Sequence, residues 1–244
     1  MIAQIKAELL KIRSTRTTIG IVLGMIAIIL LFSLLSGLLT HVSDLTDRED
    51  QRGVLGVGSL AGVFSALAGV MLITSEYRHG TIRPTFLFTP RRSRVLLAKL
   101  AAGLFGGLVF GIVGEGLGFG IGYLCLSARG IPFALDAGNV SLLLLGTVAG
   151  AALWGGIGVG VGAIVRSQVG GIIGLLVWGF VIENLLFAFV PSVGRFGPVH
   201  AQNGLMGLTD SHTLHAAAGG IVLVAWTAAL AAAGVALAAR RDVN

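Results

Sequence analysis

The sequence predicts an all-α integral membrane protein with six transmembrane helices. Three observations lead there. Of the 244 residues, 55% are hydrophobic and only 11% charged, against about 25% charged in a soluble domain. Apolar runs of the roughly 20 residues needed to cross a bilayer recur along the whole chain. The basic residues gather on alternate connections between those runs. A segment in lipid must satisfy its own backbone hydrogen bonds, and continuous runs, unlike alternating ten-residue segments, select helices over a barrel.

Taken in order, the spans cover about 19–39, 53–74, 100–124, 140–165, 169–190 and 216–239. The first is uncharged and longer than a signal-peptide core. Thr40-His41-Val42-Ser43-Asp44 after it offers no small-x-small cleavage site, so it reads as a start-transfer anchor. The second is also uncharged. The third contains Glu115, and the fifth contains Glu183 followed by Asn184. Only Arg166, Ser167 and Gln168 separate the fourth span from the fifth, which forces a tight antiparallel hairpin.

Orientation follows from the cations. With the N-terminus inside, thirteen basic residues fall on inner segments: Lys6, Lys11, Arg13, Arg16, Arg78, Arg83, Arg91, Arg92, Arg94, Lys99, Arg166, Arg240 and Arg241. Four fall outside, namely Arg48, Arg52, Arg129 and Arg195. The positive-inside rule therefore places both termini in the cytoplasm of a multi-pass plasma-membrane protein. The net charge of +6 reflects this topology and is no nucleic-acid signal.

Several chemistries are excluded by residue type. One cysteine, Cys125, rules out an intrachain disulfide and a thiolate metal cluster. None of the three lysines follows a glycine, so there is no Walker A loop. No HExxH, CxxC or Ser-His-Asp arrangement occurs, and the sequence predicts neither an enzyme nor a cofactor in this chain. His212 and His215 have i, i+3 spacing but no accompanying carboxylate pair or cysteine, so no metal site is expected. The 38 glycines are about twice the usual share. Many fall in small-xxx-small spacing, such as Gly103/Gly107/Gly111, Gly114/Gly118/Gly122 and Gly156/Gly160, which predicts a closely packed bundle.

The connections are informative. In residues 1–18, Ile2, Ile5, Leu9 and Ile12 share a helical face, the pattern of an amphipathic interfacial helix or of a plain basic leader. The inner loop, about 75–99, mixes arginines with Phe86, Leu87 and Phe88 between Pro84 and Pro90. Such a patch either docks into a partner's groove or anchors the flanking helices at lipid headgroups. The outer segment 191–215 lacks a charge run and carries Val193, Phe196, Val199 and Leu205, which suggests a short re-entrant cap.

At the inner loop the chain resembles the membrane subunits of ABC-2 type transporters. The resemblance rests on Glu76-Tyr77-Arg78-His79-Gly80-Thr81-Ile82-Arg83-Pro84-Thr85, then Thr89-Pro90-Arg91-Arg92 and Ala98-Lys99-Leu100. The opening Ala7-Glu8-Leu9-Leu10-Lys11-Ile12-Arg13-Ser14-Thr15-Arg16 is also similar to actinobacterial and other Gram-positive members, and the hydropathy profile matches across nearly the whole chain. The resemblance implies a type V exporter-like transmembrane domain working as a homodimer with two copies of a cytoplasmic ATP-binding subunit, which would hold ATP and Mg. It makes the segment before the first span a connecting helix. It also assigns ATPase coupling to Glu76, Tyr77, Arg78, His79, Gly80, Thr81, Arg83, Pro84, Phe86, Arg91 and Arg92. Members export lipids, polysaccharides, drugs or peptide antibiotics, and some confer drug resistance.

Two functions follow as expectations. The first is the permease of an ATP-driven exporter, forming the path for a lipid, drug or peptide-like substrate. The second is an ion-coupled carrier or channel that uses Glu115 and Glu183 without ATP. Under either, Glu115, Glu183 and Asn184 are the candidate pathway residues. The competing reading makes both glutamates hydrogen-bonded packing groups, because polar residues in spans face the bundle interior.

Overall fold

The computed structural model describes residues 4, 7, 8, 10, 16–81, 92–208 and 212–240. No strand occurs among them, and six helical runs are long and apolar enough to cross a membrane, the make-up of a multi-pass membrane protein. The first is α1 (Arg16–Leu39). The second is entered through α2 (Arg48–Leu55) and a 3-10 turn (Gly56–Leu60) and continues as α3 (Ala61–Arg78). The third and fourth are α4 (Arg92–Ala128) and α5 (Ala137–Val165). The fifth stacks α6 (Gln168–Val177), a π turn (Trp178–Ile182) and α7 (Glu183–Phe189). Two short helices follow, α8 (Pro191–Gly194) and α9 (Pro198–Leu205), before the sixth span α10 (Ala216–Arg240).

Local chemistry sets the ends. Asp136 caps α5, its Oδ1 accepting the Asn139 N–H at 2.8 Å. At the other end of α5, Arg166 adopts a left-handed conformation (φ 58°), and Ser167 accepts the Gly170 N–H to start α6. That pair of caps makes the expected hairpin. Gly130, with φ 68°, ends α4, and Pro132 keeps the helix from resuming.

The helices also depart from the expected boundaries. Helix α3 runs on to Arg78 and α4 starts at Arg92, so the inner connection narrows from 75–99 to 79–91, of which 82–91 lie outside the described residues. Near the N-terminus Gln4, Ala7, Glu8 and Leu10 are helical, and most of the expected amphipathic stretch lies outside the described residues. The expected cap at 191–215 contains α8 and α9, with Pro198, His200, Ala201 and Gln202 buried.

Helix α5 is the central column, packed against α3, α4 and α10. Lipid is as apolar as leucine, so burial of apolar surface does not drive these helices together, and close backbone approach must. The glycines supply that approach. A side chain at Gly158 would overlap the Ala66 backbone of α3, one at Gly155 the Gly103 carbonyl of α4, and one at Gly160 the Leu230 backbone of α10. Buried hydroxyls cross the same contacts: Ser65 Oγ donates to Ala151 O at 2.8 Å and Thr227 Oγ1 lies 3.3 Å from Leu153 O.

Candidate functional site

Among the described residues, buried ionisable side chains of this apolar bundle collect in three places. The first is the end of the bundle where α3 finishes and α4 begins. Lys99 is fully buried, and its Nζ sits 2.9 Å from Glu8 Oε2, 2.8 Å from Glu76 Oε1 and 3.1 Å from Leu72 O. One ammonium thus ties the N-terminal segment to the last turn of α3 and the first turns of α4. A lysine has three donors and no acceptor, and all three are used here. Breaking such a pair from one side leaves a buried charge uncompensated.

At this end of the bundle lie the described residues that resemblance assigns to coupling. Glu76 is in the triad itself. Tyr77 lies under the Arg166 guanidinium, 5.2 Å from ring centroid to Cζ. Arg78 Nη1 is 3.4 Å from Gln168 Oε1, so the α3 end and the α5–α6 hairpin share one end of the molecule. His79 closes α3, its Nδ1 2.8 Å from Ser75 O. Gly80 takes φ 68°, and Thr81 is exposed. Arg92 opens α4. Arg83, Pro84, Phe86 and Arg91 lie outside the described residues.

Glu115 is the second place. It is fully buried on α4, where Gly58 of the 3-10 turn crosses so closely that a side chain there would collide with the Glu115 carboxyl. Thr147 faces it from α5, but that hydroxyl donates to Leu143 O at 2.9 Å. Among the described residues neither Glu115 oxygen accepts a hydrogen bond.

Glu183 marks the third place and has a different environment. Its Oε1 accepts the His200 N–H at 2.8 Å, and the Val199 backbone also faces it. These groups belong to the first turn of α9, whose unsatisfied N–H groups and dipole favour a carboxylate. Gly197 leaves the room, since a side chain there would overlap the carboxyl. Phe187 stacks on the His200 ring at 3.9 Å between centroids. Asn184 donates through Nδ2 to Gly179 O (3.0 Å) and Phe180 O (3.2 Å), carbonyls inside the π turn. Beside this assembly lies a cavity of about 310 Å³ reached by Trp154, Gln202 and Asn203. A neighbouring cavity of about 270 Å³, lined by Glu49, Arg52 and His200, shares Asn203 with it.

The two glutamates therefore occupy separate surroundings, one on Gly58 and the other at the head of α9. Sequence reasoning missed Glu8, Lys99, Trp154 and Gln202 as site residues. A lone lysine among apolar residues was the one available signal, because it must find counter-charges. Compared with protein-family models and with curated proteins, the chain matches none.

Proposed function

We propose that the chain is the permease subunit of an ATP-driven ABC-2 type exporter, with both termini and the 79–91 connection in the cytoplasm. A second copy would complete the pathway. A separate ATP-binding subunit, two copies per assembly, would hydrolyse ATP with Mg, because no Walker motif exists here. The substrate would be a lipid, drug or peptide-like molecule.

The observation that carries this reading is the Lys99 triad. A permease driven from outside its own chain needs a stiff connection between the docking segment and the spans. Lys99 joins the N-terminal segment, α3 and α4 through two buried ion pairs. A displacement at 79–91 would then move the second and third spans as a unit, the kind of rigid-body shift that switches access. The test is ATPase turnover of the chain purified with its cytosolic ATPase. Replacing Arg83 and Arg91 by alanine should lower turnover several-fold while the complex persists. Unchanged turnover in an intact complex contradicts the coupling role.

A second reading is kept on one observation, the fully buried carboxyl of Glu115, which accepts no hydrogen bond among the described residues. An ion-coupled carrier would use it directly. Liposomes holding this chain alone would then show ion-driven flux, and Glu115→Gln would abolish it.

A further inference from the structure

The 310 Å³ cavity is built from four parts of the fold. Val63 stands on α3, Trp154 on α5, Leu175 and Phe180 on the fifth span, and Gln202 on α9. Its size is at the lower end of what small-molecule sites use. Three features define what it would hold.

The first is charge. Every polar residue lining the cavity is neutral: Ser59, Trp154, Asn184, Gln202 and Asn203. Glu183 lies next door, with its Oε1 held by the His200 N–H at the head of α9. An ion in this cavity would lose its hydration without meeting a counter-charge, which is unfavourable. The second is a pair of carboxamides, Gln202 and Asn203, that line it from α9. The side-chain amide of Gln202 sits on the same cavity, with its Nε2 3.4 Å from Ser59 O, a long hydrogen bond. The third is the wall. One side is the fifth span, interrupted by the π turn over Trp178–Ile182 and largely exposed along its outer face, including Ile173, Val177 and Val181. π turns are frequent at functional sites.

We propose that this cavity binds a neutral, largely apolar small molecule whose polar group meets the Gln202 and Asn203 amides, and that the ligand enters from the lipid past the fifth span. The site deepens the exporter reading by naming a substrate class and rests on that reading only for the word substrate. Binding itself needs no partner subunit.

The test uses the full chain in lipid nanodiscs and two dyes of one ring scaffold. Nile red is neutral and carries a ring carbonyl; Nile blue is its cationic iminium analogue. Nile red should bind saturably above empty nanodiscs, and Nile blue should compete at least about tenfold more weakly. Asn203→Leu should weaken Nile red about fivefold by removing one hydrogen-bonding group. Val63→Trp, which fills the cavity, should remove saturable binding. If that variant does not elute as a folded species, Gly179→Leu serves instead, since a side chain there first meets only Val199 Cγ2 at 3.6 Å. Absence of saturable binding, equal binding of the two dyes, or binding that survives a folded cavity-filling variant would overturn the proposal. Binding indifferent to Asn203→Leu would overturn it too, since it marks a hydrocarbon slot for an acyl chain. Lost dye binding with intact ATPase coupling sinks this site alone; intact dye binding with no coupling sinks the exporter reading alone.

Discussion

The fourth and fifth spans are neighbours in sequence and nearly equal in hydropathy, yet they behave as opposites. Their mean hydropathies are 1.9 and 2.1, but 61% of the fourth span's apolar stretch is buried within the chain against 17% of the fifth's. Apolarity does not decide which helix is central, because lipid and protein interior offer leucine much the same solvent. Small residues decide it. Helix α5 places Gly155, Gly158 and Gly160 in backbone contact with three other helices. The fifth span turns Val177, Phe180, Val181 and Leu185 outward, and Gly174 on α6 meets nothing within 4 Å. The rigid column and the loosely held wall then divide the work: one fixes the frame, the other borders the cavity.

Substitutions can break or sharpen this contrast. The largest effect should come from Lys99→Met, which removes the ammonium from two buried carboxyl groups and should cost about 3–5 kcal/mol. The check is the thermal unfolding midpoint in detergent, and an unchanged midpoint would mean the triad does not hold the frame. Next comes Gly158→Leu, which drives a side chain into the Ala66 backbone. Overpacking of this kind costs about 1–3 kcal/mol or more. The paired control, Gly174→Leu, faces open space and should leave the midpoint within error. If both behave alike, the glycines of α5 are not the reason for its centrality. Trp226→Phe removes the 2.8 Å hydrogen bond from Nε1 to Phe196 O, which pins α10 to the connection after α8. About 1 kcal/mol should be lost, read from the same melting curves. The smallest change belongs to Arg48→Ala, whose 3.5 Å pair with Asp136 is exposed on both sides and should contribute at most about 1 kcal/mol.

The sequence shows the six spans because each is an uninterrupted apolar run and lipid leaves the backbone no alternative to helix. Span ends are less legible. Helix α4 begins at Arg92, well before the apolar run, and its Lys99 reads as a loop residue until Glu8 and Glu76 are brought to it. Those partners lie 91 and 23 residues away along the chain, so spacing carries no trace of the triad. The glutamates show the same limit. Glu115 and Glu183 look alike as isolated carboxyls in apolar helices, but only Glu183 has the first turn of a short helix delivered to it. Trp154 and Gln202 look like packing residues one at a time, and their shared cavity exists only after α5, the fifth span and α9 have assembled.

Vectorial transport tests the exporter reading most directly. Proteoliposomes carrying the chain with its cytosolic ATPase should move a neutral amphiphile such as Nile red only when ATP and Mg are supplied on the ATPase side, and vesicles with the chain alone should not. Flux by the chain alone, driven by an ion gradient and lost in Glu115→Gln, would contradict the exporter assignment.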